Sequence, residues 1–525
     1  HSRWLFQYVV KGIADYGNCL MKNEIIFIRN SGEIHVVEIG EYVDEIIKSY
    51  HRNGEYLADE HVVIKAPPDI YALSYDSAQR RIQFNKATRF YRQRVPELIE
   101  IKTSMGRKLA VTPDHPIIIF DNGFKVKVSK DIEKGDLIPV LADFPCGEIK
   151  VAKIDVIDEI IKRRHESKIT VKPRSHIRSY RKRLVKLFSE IGASSSQYCH
   201  YFTYNYLPLR VFLALEKTGK SPLKRQGLLL CPGRGNVTYV PALIKIDAEF
   251  ARLLGYYLSE GCLHKEKGTA RVIWALNSAE REYIDDIITI LRKLGLRYSV
   301  RQSGVVTQIK VSSWILGLLL GNVLKCGCVS YDKQIPSILF DMTREVQIEL
   351  LKGILRGDGY IKLGKRGSFV TVGFSTVSPI LFQQVLLLLQ ALGYTPSYEE
   401  YFGKKSKRPL FDLRIHGYTA AQGLKRYFSK ATVKIIDAQL KKYSDLSQAK
   451  HHFKKISNLI LLPVKSSKKI KYNDFVYDLE VDTTHLFVTT SGIITHNCTG
   501  ISTVAGDIEF DDSFETNCLV NVACV

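Results

Sequence analysis

The sequence predicts a chain of several domains, among them an α/β portion built from two copies of one unit and a strand-forming portion. Three observations lead there. A pattern of helix, two strands and helix recurs at a constant offset of 98 residues. The stretch Phe475–Thr490 alternates apolar and polar residues as a half-buried strand does. Residues 161–190, ahead of the first copy, hold eleven Lys and Arg against two Glu.

The bulk numbers fit this division. A chain of 525 residues is too long for one hydrophobic core, and an apolar fraction of 45% argues against long disorder. Lys and Arg number 76 against 54 Asp and Glu, a formal charge of +22, which favours a polyanionic partner; solubility alone is the bland alternative. None of the ten cysteines has Cys-x-x-Cys spacing, so a zinc ribbon is not expected, and Cys326-Gly-Cys328 reads as core thiols. No apolar stretch approaches the roughly 20 residues of a membrane helix. His1-Ser-Arg-Trp does not open like a signal peptide. A cytoplasmic, monomeric protein with no membrane partner is expected. His1 in place of Met reads as a fragment or processed piece.

The duplication is visible residue by residue. Leu253-Leu-Gly-Tyr-Tyr-Leu-Ser-Glu-Gly261 matches Leu351-Lys-Gly-Ile-Leu-Arg-Gly-Asp-Gly359. Val272–Ser278 matches Val370–Thr376, and Leu291–Leu296 matches Leu389–Tyr394, at the same offset. Gly255 and Gly353 would let the two first helices approach backbone to backbone, setting Glu260 and Asp358 side by side. Paired carboxylates make a site for a hard cation, and on a basic chain the matching chemistry is Mg²⁺-dependent cleavage of two phosphodiesters. The alternative is two helix-terminal acids before glycine caps.

These segments resemble the paired motif of LAGLIDADG homing endonucleases, with the acid at the eighth position of each. The first copy has Glu260 where Asp is commoner, and the second has Lys352 at its second position. The resemblance implies two pseudo-symmetric αββαββα-type repeats, 245–340 and 341–450, with Glu260 and Asp358 as metal ligands and catalytic acids. Lys333, in Asp332-Lys-Gln-Ile-Pro336, matches the family's Lys-x-x-Pro element, where a lysine lies near the scissile phosphate; an exposed surface lysine is the alternative. Its counterpart in the second repeat is left among Lys404, Lys405 and Lys407.

Near the C-terminus stands His496-Asn497-Cys498. An Asn amide can attack its own carbonyl and cut the chain, a preceding His can act on that carbonyl, and a following Cys can take an acyl group. Upstream, Cys19 offers an acyl acceptor, and Thr112-Pro-Asp-His115 a turn stiffened by Pro113 and Pro116. Taken singly, each piece reads as a buried thiol or a turn histidine. Together they resemble an intein, a self-splicing Hint domain. Cys19 matches its first residue and Thr112 and His115 its Thr-x-x-His block. Ser129–Ile138 matches the following Gly-Asp strand, Val476–Val481 with Asp478 and His485 the penultimate block, and His496-Asn497 the end, with Cys498 opening the downstream flank.

That resemblance implies a mainly-β Hint horseshoe, made of residues 19–145 and 451–497, with the α/β endonuclease (245–450) inserted. Lys465–Lys471 would mark re-entry to the horseshoe. Residues 1–18 and 498–525 become host flanks acting in cis, and splicing needs no cofactor. Joined, the flanks read Tyr-Gly-Asn|Cys-Thr-Gly-Ile-Ser-Thr and resemble phosphoribosylformylglycinamidine synthase, a purine-biosynthesis enzyme. Residues 146–244 are expected to be a basic DNA-recognition subdomain, with Tyr198, Tyr201, Tyr204 and Tyr206 interleaved among cations; a solvated basic face is the alternative. The partner implied is the double-stranded DNA of the uninterrupted host gene. Rival readings are an intein whose endonuclease is an inactive DNA-binding relic, and a Hint protein that cleaves without ligating.

Overall fold

The computed structural model describes residues 19–496 apart from 53–60, 77–78, 80, 143, 145, 234–237, 267, 364–369, 404–406 and 442–453. Asn497, Cys498, Lys404, Lys405 and both flanks lie outside the described residues. The chain divides into two compact units. Among the described residues, one draws on 19–146, 361–423 and 437–496, the other on 147–360 and 424–436.

The first unit is mainly β. Its spine is an antiparallel pair of 23-residue strands, Arg81–Thr103 and Leu459–Val481, with register shifts at 464/466, 471/474 and 480/481. Strands this long bend where the register shifts. Leu20 lies opposite Tyr477 on one side and Val111 on the other, and the Lys108–Val111 strand pairs back onto Arg81–Thr103 through Ile99 and Val111. The four segments therefore hydrogen-bond in a closed circuit. Asn30-Ser31-Gly32-Glu33 joins two strands by a hairpin turn with φ of 51° at Ser31 and 86° at Gly32, the primed geometry that suits the twist of a hairpin. A smaller sheet orders its strands Leu486–Val488, Ile494–His496, Pro116–Phe120 and Phe124–Val128. Ile26, Ile28, Phe90, Ile101, Val111, Ile117, Leu462, Leu479 and Phe487 fill the core.

The same unit holds strands Val370–Thr376, Ser397–Phe402 and Pro409–His416, with the helix Pro379–Ala391 against them. A Cβ on Gly106, whose φ is +85°, would sit 2.0 Å from the Tyr398 carbonyl oxygen. The neighbouring Arg107 guanidinium is fully buried 5.1 Å from the Tyr398 ring centre, and burial pushes it down to about 10.

In the second unit, helices Ala248–Glu260 and Arg344–Gly357 cross at their glycines. A Cβ on Gly255 would lie 2.3 Å from the Leu350 carbonyl oxygen, and one on Gly353 would lie 2.3 Å from that of Arg252. The backbone approach expected of this pair is present. After the first helix come strands Gly261–Glu266 and Thr269–Asn277, helix Arg281–Lys293, then strands Ser299–Ser303 and Val306–Ser312. The helices are also tied by charge. Asp286 accepts from Arg252 Nε (2.8 Å), Arg356 Nη1 (3.1 Å) and Tyr256 Oη (3.0 Å), while Arg252 also pairs with Glu349. Arg356 Nε donates to the Tyr427 carbonyl at 3.0 Å.

Residues 147–246 form a small fold with its own core, including Val171, Leu184, Phe188, Phe202, Leu207 and Phe212. Helix Arg181–Glu190 exposes Arg181, Lys182, Arg183 and Lys186. The four tyrosines divide. Tyr198 stacks on Phe188 (6.0 Å between centroids), and Tyr201 is buried beside it. Tyr204 and Tyr206 instead gather around His200 on the outside.

Because the crossing of the two central helices has no room for a side chain, Gly353→Val is expected to destabilise this unit by about 2 kcal/mol or more. A lowered melting transition by circular dichroism checks this, and a surface change such as Lys293→Ala should leave the transition unmoved.

Candidate active sites

The first candidate site surrounds Cys19. Its backbone N–H donates to Thr112 Oγ1 at 3.1 Å, and its carbonyl accepts from Thr112 N–H at 3.0 Å. Carrying the Leu20–Tyr477 register on by one residue sets Asp478 opposite Cys19, and cross-strand neighbours have Cβ atoms about 5 Å apart. Asp478 is fully buried, with Oδ1 accepting from Leu479 N–H at 2.8 Å. The thiol lies among Leu98, Ala110 and Val476, with Gln93 Nε2 at 3.5 Å from Sγ.

His115 is fully buried one turn beyond Thr112, its N–H donating to the Thr112 carbonyl at 3.1 Å. Its Nε2 is 2.6 Å from Thr495 Oγ1. Ser129 Oγ lies 2.6 Å from the Thr112 carbonyl and 2.7 Å from that of Pro113, clamping the turn. Neither Thr495 nor Ser129 was singled out as a functional side chain in the sequence, since a buried hydroxyl has no spacing signature. His496 ends the strand that pairs with Leu486 and is partly buried. His485 sits on an exposed turn with φ of 52°, one residue before that pairing. The structure thus brings Cys19, Thr112, His115 and Asp478 together, while His485 stands on an exposed turn next to the Leu486–His496 pairing.

The second candidate site lies at the ends of the crossed helices. A Cβ on Gly357 would fall 2.8 Å from Glu260 Cγ, so Glu260 closes directly over the end of the other helix. Burial pushes Glu260 up to about 7, helped by Asp358 and then Glu280. Burial likewise raises Asp358 to about 6, and Lys333 pulls it down. Lys333 is 1% exposed, which removes the surface-lysine alternative. Its Nζ donates to the Tyr257 carbonyl at 3.1 Å and lies 3.4 Å from the Tyr257 ring centre. Burial lowers it to about 8. Asp332 Oδ1 accepts from the N–H groups of Cys328 and Val329, both at 2.8 Å, and so shapes the loop that presents Lys333. Lys407 is exposed. Among the described residues, no three His, Cys, Asp or Glu side chains converge as a metal group. Two carboxylates would leave coordination places for phosphate oxygens and water.

Among the described residues no helix is long and apolar enough to cross a membrane.

Residues 26–497 match the family of the intein splicing domain. An uncharacterised protein of Methanocaldococcus jannaschii is 28% identical over 513 residues, 94% of this chain and 52% of its own length. A DNA polymerase of Thermococcus litoralis is 23% identical over 570 residues, 94% of this chain and 32% of its own. The chain thus spans about half, or a third, of these relatives. Among solved structures, a transcription factor IIB mini-intein is 28% identical, covering 25% of this chain and 72% of its own at a TM-score of 0.23. The I-DmoI structure in complex with DNA and Mn is 17% identical, covering 32% and 90% at a TM-score of 0.25.

Two outcomes follow from this geometry. Thr495→Val, which keeps the shape but removes the hydroxyl, is expected to slow thiol-induced cleavage at Cys19 about tenfold, and Thr495→Ser to restore it; cleavage yield by gel over time is the readout. At the second site, the raised acids hold their protons in the folded state, so without metal their effect on stability is least unfavourable below about pH 4.5 and worsens as pH rises through 7. A divalent cation must displace those protons. Mg²⁺ should therefore raise the melting temperature at pH 8 and not at pH 5.5, and Glu260→Gln should abolish the Mg²⁺ increment.

Proposed function

The chain belongs to the intein splicing domain family, and from that premise we propose that it excises residues 19–497 and joins Asn18 to Cys498. The observation that carries this is the grip on the Cys19 backbone nitrogen by Thr112 Oγ1 at 3.1 Å, since that nitrogen is the leaving group of the first step. Cys19 Sγ attacks the Asn18 carbonyl carbon. The C–N bond breaks, a thioester forms, and His115 delivers a proton to the departing amine. Asp478, opposite Cys19, moves or holds a proton between the thiols of Cys19 and Cys498. Cys498 then takes the acyl group from Cys19. Asn497 cyclises through its side-chain amide, releasing the amine of Cys498, with His496 acting at the carbonyl and His485 assisting. The amine of Cys498 finally displaces the thioester to give a peptide bond.

The second site supports a separate activity, site-specific double-strand cleavage of DNA by a LAGLIDADG endonuclease. Glu260 and Asp358 would hold Mg²⁺, which supplies charge neutralisation at a phosphate. Lys333 stabilises developing negative charge. Strand alternation exposes Gln308 and Lys310 on one face of the first-copy sheet, with Arg301 opposite Gln308, and these side chains suit base edges in the major groove. Arg181, Lys182, Arg183 and Lys186 would grip phosphates outside that face. The target is the uninterrupted host gene, for which the flanks suggest a phosphoribosylformylglycinamidine synthase.

Intact mass after expression tests the splicing reading. The wild-type chain should yield residues 19–497 and a ligated flank peptide, while Cys19→Ala with Asn497→Ala stays at 59.7 kDa; a wild-type chain that also stays whole overturns it. For the endonuclease, Asp358→Asn should abolish Mg²⁺-dependent cutting of a plasmid bearing the joined flank sequence while DNA binding persists. Binding without cutting by the wild type would mean a DNA-binding relic.

A further inference from the structure

The Cys19 thiol lies in a nest of Leu98, Ala110 and Val476, inside the closed circuit of strands. Apolar neighbours supply nothing that would stabilise negative charge on sulfur. Yet the splicing chemistry needs sulfur as a nucleophile. Among the described residues, Gln93 is a polar side chain that reaches into the nest. Gln93 stands on the Arg81–Thr103 strand opposite Val476 and is 7% exposed. Its Nε2 donates toward Cys19 Sγ at 3.5 Å, within the range of hydrogen bonds to sulfur.

Resting on the splicing reading, we propose that Gln93 is a catalytic residue of the first step: its amide N–H holds Cys19 Sγ as an anion for its attack on the preceding peptide bond. The chemistry balances without any further reactant. The thiol proton leaves to a base of the site, a C–S bond forms as the C–N bond breaks, and that proton ends on the Cys19 amine. Gln93 keeps its own protons throughout, acting as a fixed dipole against negative charge on sulfur. A neutral amide suits the place. A lysine there would leave an ammonium among apolar side chains, and a carboxylate would repel the thiolate. The sulfur of the thioester has weaker acceptor character than a thiolate, so the N–H favours the attacking form and the reverse attack as well. The first step is thereby kept reversible until Cys498 captures the acyl group.

The test uses the full chain carrying Asn497→Ala and Cys498→Ala, which can form the thioester and go no further. Gln93→Leu, Gln93→Asn and Gln93→Glu are compared for cleavage at Cys19 by added dithiothreitol across pH. The companion readout is cleavage after Asn497 in a Cys19→Ala chain. Gln93→Leu is expected to slow thiol-induced cleavage about tenfold or more at pH 7 and to move its pH profile upward by about one unit. Gln93→Glu should be slower still, and cleavage after Asn497 should be unchanged in all. An unshifted pH profile in Gln93→Leu, or an equal fall in both cleavages with a lowered melting temperature, overturns the proposal. Thiolate absorbance at 240 nm, taken as a difference from Cys19→Ser, keeps the two readings apart. It reports the Cys19 titration even in a chain that never cleaves. A titration in Gln93→Leu equal to the parent overturns the role of Gln93 even if the chain splices, while a shifted titration with no cleavage in the parent shows that Gln93 holds the Cys19 sulfur but removes the splicing reading, and with it the catalytic role.

Discussion

Closure of four strand segments into one circuit is the constraint on which the first unit depends. Leu20–Met21 is only two residues long, yet it is paired on both sides, by Tyr477 and Val476 and by Val111. Tyr477 and Val476 lie more than 450 residues on from Leu20–Met21 and Val111 about 90, so the circuit exists only when these distant segments are in register. A slip of one residue would turn every side chain of a strand to the opposite face. Asp478 would then face away from Cys19, and Thr112 would lose the backbone nitrogen it holds.

The same closure explains how a polar apparatus survives in a core. Thr112, His115, Ser129, Asp478 and Thr495 are all buried. Buried polar groups are tolerated where they are hydrogen-bonded, and here the bonds run between distant parts of the chain: Ser129 to Thr112 and Pro113, His115 to Thr495. An open circuit would leave these groups competing for water. Chemistry at Cys19 is thus tied to completion of the fold, and a half-folded chain has a thiol but no oriented amide bond. Thr495 adds a second tie. It stands just before His496, so the histidine proposed for the first step is bonded to the strand proposed to carry the last.

Much of this was legible in the sequence, and for identifiable reasons. The duplication showed because glycine is demanded at Gly255 and Gly353 by a backbone contact that tolerates no Cβ, and a demand of that kind leaves a mark at a fixed offset. The Thr112–His115 turn showed because prolines bracket it. Gln93, Ser129 and Thr495 did not show. Each acts by standing across from a residue far away in the chain, Gln93 by 74 positions from Cys19 and Thr495 by 380 from His115. Strand pairing creates those neighbours, and no local pattern announces them. The tyrosines of 198–206 were read too uniformly. Helical spacing turns Tyr198 and Tyr201 onto Phe188, so they belong to a core, and only the outer cluster with His200 is free to meet a partner. The charge ties of Asp286 with Arg252 and Arg356 were equally silent, since three charged residues on three helices carry no shared motif.

The two acids at the helix ends illustrate how packing sets chemistry. The glycine crossing brings the helices so close that Glu260 and Asp358 are withdrawn from water together, and burial raises both. They are not equivalent. Lys333 pulls Asp358 down, whereas Glu260 is pushed further up by Asp358 and Glu280. Of the two, Glu260 is therefore raised the further, to about 7 against about 6 for Asp358. Lys333 is itself held below the ordinary lysine range by burial, which the neighbouring Cys326 and Asp332 oppose, and a phosphate would add to that opposition. Each of these groups is in a state that a polyanion and a divalent cation together would relieve, the cation by replacing protons on the carboxylates and the phosphate by securing the ammonium. The desolvation that costs stability in the free chain is thus the same feature that favours binding of both.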